Sequence, residues 1–574
     1  MTMLKNNSKT CLATCIQRAL IPAGLVAACL PFGAQAFQFN TPSDWQVQWD
    51  NTLRYNLGLR VKDVDNRIGN HPSFQQSDYK FSDSGDVVTN RVSLLSELDV
   101  VYQRRMGARL SVSGWKDFAY DNKAETNPGE FAPGLPYSAL QAYRDGRYSN
   151  YTERFYRQGG EVLDAFVFNN FEVADKPVYL RAGQYTEYWG GTLFFPFQAI
   201  SYSQGALDVT KLATSPGTEA KEAFLPRPQI GLTTQLSDEW AVSAQYFLGF
   251  DPNRTMEGGT FLGGADFLWQ GPDYLAIPAF IPGVGFVAAQ LPHGQDSEPD
   301  DINDNFGLRA MWTPSDGSGV LGMYYRHFDE AQPWASWLTY DANGRPTSYR
   351  QVYNEGVDLV GLSYDTNIGN NSTSFDLSYR RNTALNSRSS PLVPTEDGGA
   401  RGNVINAVGN IIVPLSRSAL WNTGTLTAEM AYAHLLSVTD NKELYFGEDE
   451  PICVGGKWKG CSTKNWVAVA ARFEPQWLQV FPGVDLSMPI SDTYGVYGNA
   501  AQLSGTNQGT HTYSAGIKAA IRQKLDVTLA YNGYYAHASG RAITPSGKSY
   551  YAGGNGPIGL NDRDWVSLTL KTSF

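Results

Sequence analysis

One stretch limits the choice of folds more than any other: residues 45–61, WQVQWDNTLRYNLGLRV. Trp45, Val47, Trp49, Leu53, Tyr55, Leu57, Leu59 and Val61 fall on one side of an extended chain, with Asn51 the one polar member. Gln46, Gln48, Asp50, Thr52, Arg54, Asn56, Gly58 and Arg60 fall on the other. A period of two is the signature of a strand, because successive side chains point to opposite faces. The run is far longer than an ordinary strand of about 5–6 residues. A strand this long, apolar on one face and charged on the other, needs two different environments along its length. Lipid outside and water inside a closed barrel is one arrangement that supplies both.

A chain of 574 residues would ordinarily suggest several soluble domains. Here 28 Phe, 14 Trp and 32 Tyr are spread out by alternation instead of gathered into core-forming runs. Tyr and Trp suit a membrane interface, where one end of the ring is dry and the other wet. Residues 1–36 read as a secretory signal peptide, with Lys5, Lys9 and Arg18 ahead of an apolar core at 19–30 and a small-residue cleavage site at Ala34-Gln35-Ala36. Val26-Ala27-Ala28-Cys29 loosely resembles a lipoprotein box, but Val26 is a poor first residue for it. No later run of about 18 apolar residues can make a spanning helix. The net charge is −11, and loss of the signal's three basic residues takes it to −14. That balance excludes nucleic acid as a partner and disfavours an anion-selective pore. The mature chain keeps Cys453 and Cys461, an even count that reads as one disulfide stapling a loop in an oxidising compartment.

Further alternating segments follow in a fixed rhythm. Strands around 91–103 and 108–113 flank a tight turn, as do 163–173 and 178–183. Long polar stretches separate these pairs. Short turns on one side and long loops on the other are the habit of outer-membrane barrels. The last segment, WVSLTLKTSF at 565–574, again alternates and ends on Phe574. An open edge cannot stand in lipid, so the first and last strands are predicted to pair antiparallel and close the wall.

The rhythm breaks at 184–227, which contains GQYTEYWG, LDVTKL and PGTEAKEAFLP in that order. These motifs, the signal and the terminal phenylalanine resemble a family of Gram-negative outer-membrane proteins known only as a domain of unknown function. The resemblance covers nearly the whole chain. It departs at Gly191, where the family often has Glu after Trp-Gly. It implies a barrel tied to export or uptake of hydrophobic molecules, working beside an inner-membrane pump or periplasmic carrier. It implies no settled reaction or substrate.

Irregular backbone cannot face lipid, because its amides would go unsatisfied. The 184–227 segment therefore folds into the lumen as a plug or out into water as a loop, and the charges at Glu187, Asp208, Lys211, Glu219, Lys221 and Glu222 beside Trp189 suit the lumen. Asp50, Arg54 and Arg60 are expected to look inward from the first strand and to pair with such charges. Residues 251–304 form the longest loop. It is unusually apolar, with Phe280, Ile281, Val284, Phe286 and Val287 available for a greasy capture surface or for packing on the rim.

No catalytic machinery is legible. The six histidines are scattered without metal-ligand spacing, and neither a nucleophile elbow nor a phosphate loop is present. The oxygen-rich run at 300–305 lacks the glycine and glutamate spacing of a calcium loop. The fold expected is an all-β transmembrane antiparallel barrel of about 16 strands over 37–574, with an internal plug and long extracellular loops. The function expected is passive passage of a hydrophobic or amphipathic small molecule, captured by the apolar loop and let past the plug as it shifts. No enzyme activity, cofactor or metal is expected. A barrel that organises the envelope and conducts nothing, or an outer-membrane hydrolase, are the competing readings.

Overall fold

The computed structural model describes residues 37–39, 42–392 and 398–574; the signal-peptide reading of 1–36 lies outside them. Eighteen antiparallel strands make one closed wall. They are β1 Trp45–Arg60, β2 Val87–Tyr102, β3 Met106–Asp117, β4 Gln158–Val173, β5 Lys176–Tyr185, β6 Arg227–Gln235, β7 Trp240–Phe247, β8 Phe306–Trp312 and β9 Val320–Phe328. The second half comprises β10 Val357–Ile368, β11 Asn371–Ala384, β12 Arg401–Pro414, β13 Thr423–Asp440, β14 Asn465–Phe481, β15 Val484–Ser487 continuing as Ile490–Tyr497, β16 His511–Ile521, β17 Leu525–Tyr535 and β18 Trp565–Ser573. Each strand pairs with its sequence neighbour. The ring shuts where β1 meets β18, from Arg60 opposite Trp565 to Thr52 opposite Ser573. Beyond that ladder, Asn51 and Phe574 exchange backbone hydrogen bonds of 2.8 and 2.9 Å. The terminal phenylalanine thus completes the seam. An additional two-residue strand, Phe37–Gln38, pairs with the start of β1.

The wall has more strands than the 16 expected, and the two that alternation missed show why. Strand β12 carries Val404 and Val408 on its inner face and Ile405 and Ile411 on its outer face, so polarity does not alternate along it. Strand β15 is interrupted at Met488-Pro489, where proline has no N–H to give to a ladder. There Gly516 N–H reaches the Pro489 carbonyl at 2.9 Å, and the wall stays closed.

The facing of β1 follows the alternation. Trp45 and Trp49 are exposed on the outer face at the short-turn end, while Arg54, Asn56 and Arg60 are buried inside. Val167, Ile230, Val360, Phe375, Met430 and Ile517 continue the apolar outer surface around the wall.

At the opposite end the long connections fold over the mouth and partly into it. Arg60 is roofed by them and pairs with Asp78 at 3.5 Å and Asp562 at 3.2 Å. Arg563 bonds Asp78 at 3.1 Å and the carbonyls of Phe261 and Gly263. Asp266 accepts from the amides of Gln76 and Ser77, each at 3.1 Å. Burial pushes its carboxyl up to about 7, against the pull of those hydrogen bonds. The 251–304 connection is therefore not uniformly a surface loop. Phe261 and Leu262 turn inward and are buried, while the tip of the hairpin Tyr274–Ile281 with Gly285–Pro292 presents Phe280, Ile281 and Val284 to the outside. In the 300–305 run, Asn303 and Asn305 donate to Asp329. Cys453 and Cys461 are bonded to each other within the 441–464 connection.

Candidate functional site

The connection between β5 and β6 turns into the barrel. Strands take residues 184, 185 and 227, so the irregular segment is 186–226. Two short helices give it local order. Val209–Thr214 is capped by Asp208, which accepts the Lys211 amide at 2.8 Å. In Ala220–Ala223, the Glu222 carboxylate reaches back to the Glu219 amide at 3.2 Å.

Inward side chains of strands around the ring then hold the segment. On one side Arg54 of β1 clasps Glu222 with two bonds of 2.8 and 3.0 Å, both groups buried. Lys571 of β18 pairs with Glu219, and Lys221 reaches Glu97 of β2 at 2.5 Å. Glu161 of β4 holds both Lys211 and Arg254, and Arg254 also meets Asp208 at 3.1 Å. On the far side Arg326 of β9 donates to the carbonyls of Ile200 and Tyr202 at 2.8 and 2.7 Å. Arg380 of β11 donates to Phe197 and Ala199 at 2.8 and 2.7 Å. Asp376 of β11 takes the Gly191 amide at 3.1 Å.

Trp189-Gly190-Gly191 lets the chain lie against β11. Gly190 has φ +86°, and a side chain there would meet Asp376. A side chain at 191 would strike Ser374. Gly191 is thus fitted to this wall. Beyond it, Glu429 of β13 accepts three successive amides, from Leu193, Phe194 and Phe195, at 2.5, 2.8 and 2.8 Å. Converging N–H groups of this kind form a concave anion site. They let a carboxylate that is only 3 % exposed stay satisfied.

What Glu429 holds in place is an aromatic stretch, Phe194-Phe195, against the wall. Phe195 packs on Val404, Val408, Ala431, Ala433, Trp466, Ala468 and Ala470, the inner faces of β12, β13 and β14. Ala500 and Ala501 of the 498–510 connection belong to the same cluster. Above it, Gln198 donates to the Ser504 carbonyl at 2.9 Å. A cavity of about 360 Å³ on that side is lined by Trp269, Trp334, Leu503 and Ser504. Below the segment lies a second cavity of about 500 Å³, lined by Gly190, Thr192 and Pro196 with Arg109, Arg181 and Tyr185 of the wall. Thr192 and Pro196 thus line the second cavity, and Gln198 reaches Ser504 at the edge of the first.

Most charges expected at the site come together. Glu222 meets Arg54, Glu219 and Lys221 share one network, and Asp208 and Lys211 share another. Trp189 is buried and donates to Glu187 at 3.0 Å. Asp50 stands apart near the short-turn end, bonded by Gln48 at 2.7 Å, and Arg60 belongs to the roof. Sequence reasoning missed Glu429, Asp376, Arg326, Arg380 and Glu161. A lone acid on an otherwise apolar strand, as in LTAEMAYAHLL, was the signal for Glu429.

No curated protein matches the sequence. Among solved structures, OccAB4 of Acinetobacter baumannii is similar over 93% of this chain and 99% of its own, at 10% identity and a TM-score of 0.40. OpdK of Pseudomonas aeruginosa, solved with vanillate, is similar over 92% and 98%, at 8% identity and 0.38. A BenF-like porin of Pseudomonas fluorescens Pf-5 is similar over 92% and 98%, at 9% identity and 0.38. The family described as "Protein of unknown function (DUF1302)" matches residues 18–574, and the chain belongs to it.

Proposed function

We propose that this protein is an outer-membrane channel that lets hydrophobic or amphipathic small molecules pass through a lumen plugged by 186–226 and gated at 192–198. One observation carries the reading. A patch on the inner face of β12–β14, made by Val404, Val408, Ala431, Ala433, Trp466, Ala468 and Ala470, is apolar where a water-filled pore would be polar, and Phe195 lies in that cluster. A solute that is poorly soluble in water gains by sliding along such a face once the lid lifts. The exposed Phe280, Ile281 and Val284 offer a first contact outside. With that end extracellular, Trp45 and Trp49 lie at the periplasmic interface, where tryptophan is favoured. The cavity below the gate then opens toward a periplasmic carrier or inner-membrane pump. Passage needs no chemistry from the barrel; the lid's few hydrogen bonds set the barrier.

The test is a strain lacking the protein, with and without the gene restored. Entry of a lipophilic dye such as 1-N-phenylnaphthylamine is compared with entry of a sugar of similar mass. Dye entry that depends on the protein while sugar entry does not supports the channel. Unchanged dye entry with altered surface lipids would favour an envelope-organising barrel instead.

A further inference from the structure

The lower cavity has a charge pattern of its own. Its lining carries three cations, Arg109, Arg181 and Lys221, and one carboxylate, Asp164. Two of the cations are committed. Arg109 is shared among Glu97, Asp99 and Asp164. Lys221 is shared between Glu97 and Glu219. Arg181 differs. Among the described residues no carboxylate oxygen lies within 4.0 Å of its nitrogens, and its hydrogen-bond partner is the neutral Tyr179 hydroxyl, at 2.9 and 3.0 Å. It is held by rings instead, with its guanidinium carbon 4.9 Å from the centroid of Phe166 and 4.7 Å from that of Tyr185. Stacking fixes the plane of the group; Tyr179 takes the Nε–Nη2 edge, which leaves the Nη1–Nη2 end of the fork available, a geometry that suits a two-oxygen anion. The same cavity is lined by Tyr188, Phe224 and Pro196, so an apolar body has surface to lie on beside the cation.

We propose that Arg181 anchors the acidic head of an amphipathic organic anion, a carboxylate with a short apolar tail, in the cavity beneath the gate. The proposal rests on the channel reading above and names the class of solute for which this cavity is a resting place. The carboxylate would accept from the Arg181 fork while its tail lies against Phe166, Tyr188 and Phe224. Because Arg181 is only half-buried, added salt weakens the contact.

The test uses the full-length protein in lipid nanodiscs, with empty nanodiscs subtracted. Titration calorimetry compares octanoate and octanol at pH 7.5, for wild type and Arg181→Gln. Octanoate is expected to bind wild type and to lose on the order of 10-fold in affinity in the variant, the effect of one lost hydrogen bond to a charged group. Octanol affinity should differ by less than about twofold between the two proteins, which also reports that the variant is folded. Arg181→Lys should recover part of the octanoate affinity. Equal octanoate affinity in wild type and Arg181→Gln, or octanol bound as tightly as octanoate by wild type, would overturn the proposal while leaving the channel reading intact. Absence of binding by either compound would overturn both.

Discussion

The carboxylate of Glu429, midway along β13, accepts the backbone N–H of Phe195 at 2.8 Å and so seats an aromatic lid on an apolar wall. Leu193 and Phe194 give their amides to the same group. Hydrogen bonds to an ionised acceptor contribute about 1.5–3 kcal/mol each. Glu429→Gln keeps the shape and removes the charge. Hydrogen exchange of these three amides should rise by roughly 10- to 100-fold, while exchange in β1 and β18 stays unchanged. Unaltered exchange in 193–195 would mean that something else holds the lid.

Arg54 and Glu222 clasp each other with both groups buried. Removing one partner strands a charge, which destabilises by about 3–5 kcal/mol, whereas replacing both by apolar residues is often neutral. Arg54→Ala should therefore make residues 186–226 protease-sensitive in the purified barrel. Arg54→Met with Glu222→Leu should restore resistance. Equal sensitivity of the single and double variants would show that the pair is incidental to the segment's anchoring.

Asp266 ties the 248–305 connection to the amides of Gln76 and Ser77 in the 61–86 connection. Burial raises its carboxyl from 3.8 to about 7. Between those values the folded protein holds a proton that the opened loop releases, so loop packing weakens as pH rises through that window. Exchange of the Gln76 and Ser77 amides, corrected for intrinsic rates, should be slower at pH 5 than at pH 8. Asp266→Asn should remove the difference.

The Cys453–Cys461 bond closes a short loop in the 441–464 connection. Cross-links of this size stabilise by roughly 2–3 kcal/mol, chiefly by restricting the opened chain. Reduction, or Cys453→Ser with Cys461→Ser, should raise proteolysis within 441–464 and leave the barrel's heat-resistant migration on gels unchanged.

The alternation in 45–61 carried the main architectural facts, because a residue that faces lipid cannot be polar without penalty. That constraint made the closing pair, β1 with β18, legible in the sequence. It fails where the inner face is also apolar. Strand β12, with Val404 and Val408 inside, lost its signature for that reason. The charges of 184–227 were visible as a group, and Arg54 with Glu222 was within reach. Asp376 and Arg380 were not, because their partners are backbone groups of an irregular segment, and backbone leaves no trace in residue type. Gly191 lies where a side chain would strike Ser374, a constraint that only the packed wall reveals.

The gate at 192–198 is tested most directly by single-channel recording of the purified protein in a planar bilayer, wild type beside Glu429→Gln. The closed lid predicts little or no steady current through wild type and a clear rise in open events once Glu429 no longer holds residues 193–195. A large, steady, ohmic conductance in wild type, unchanged by Glu429→Gln, would contradict the account.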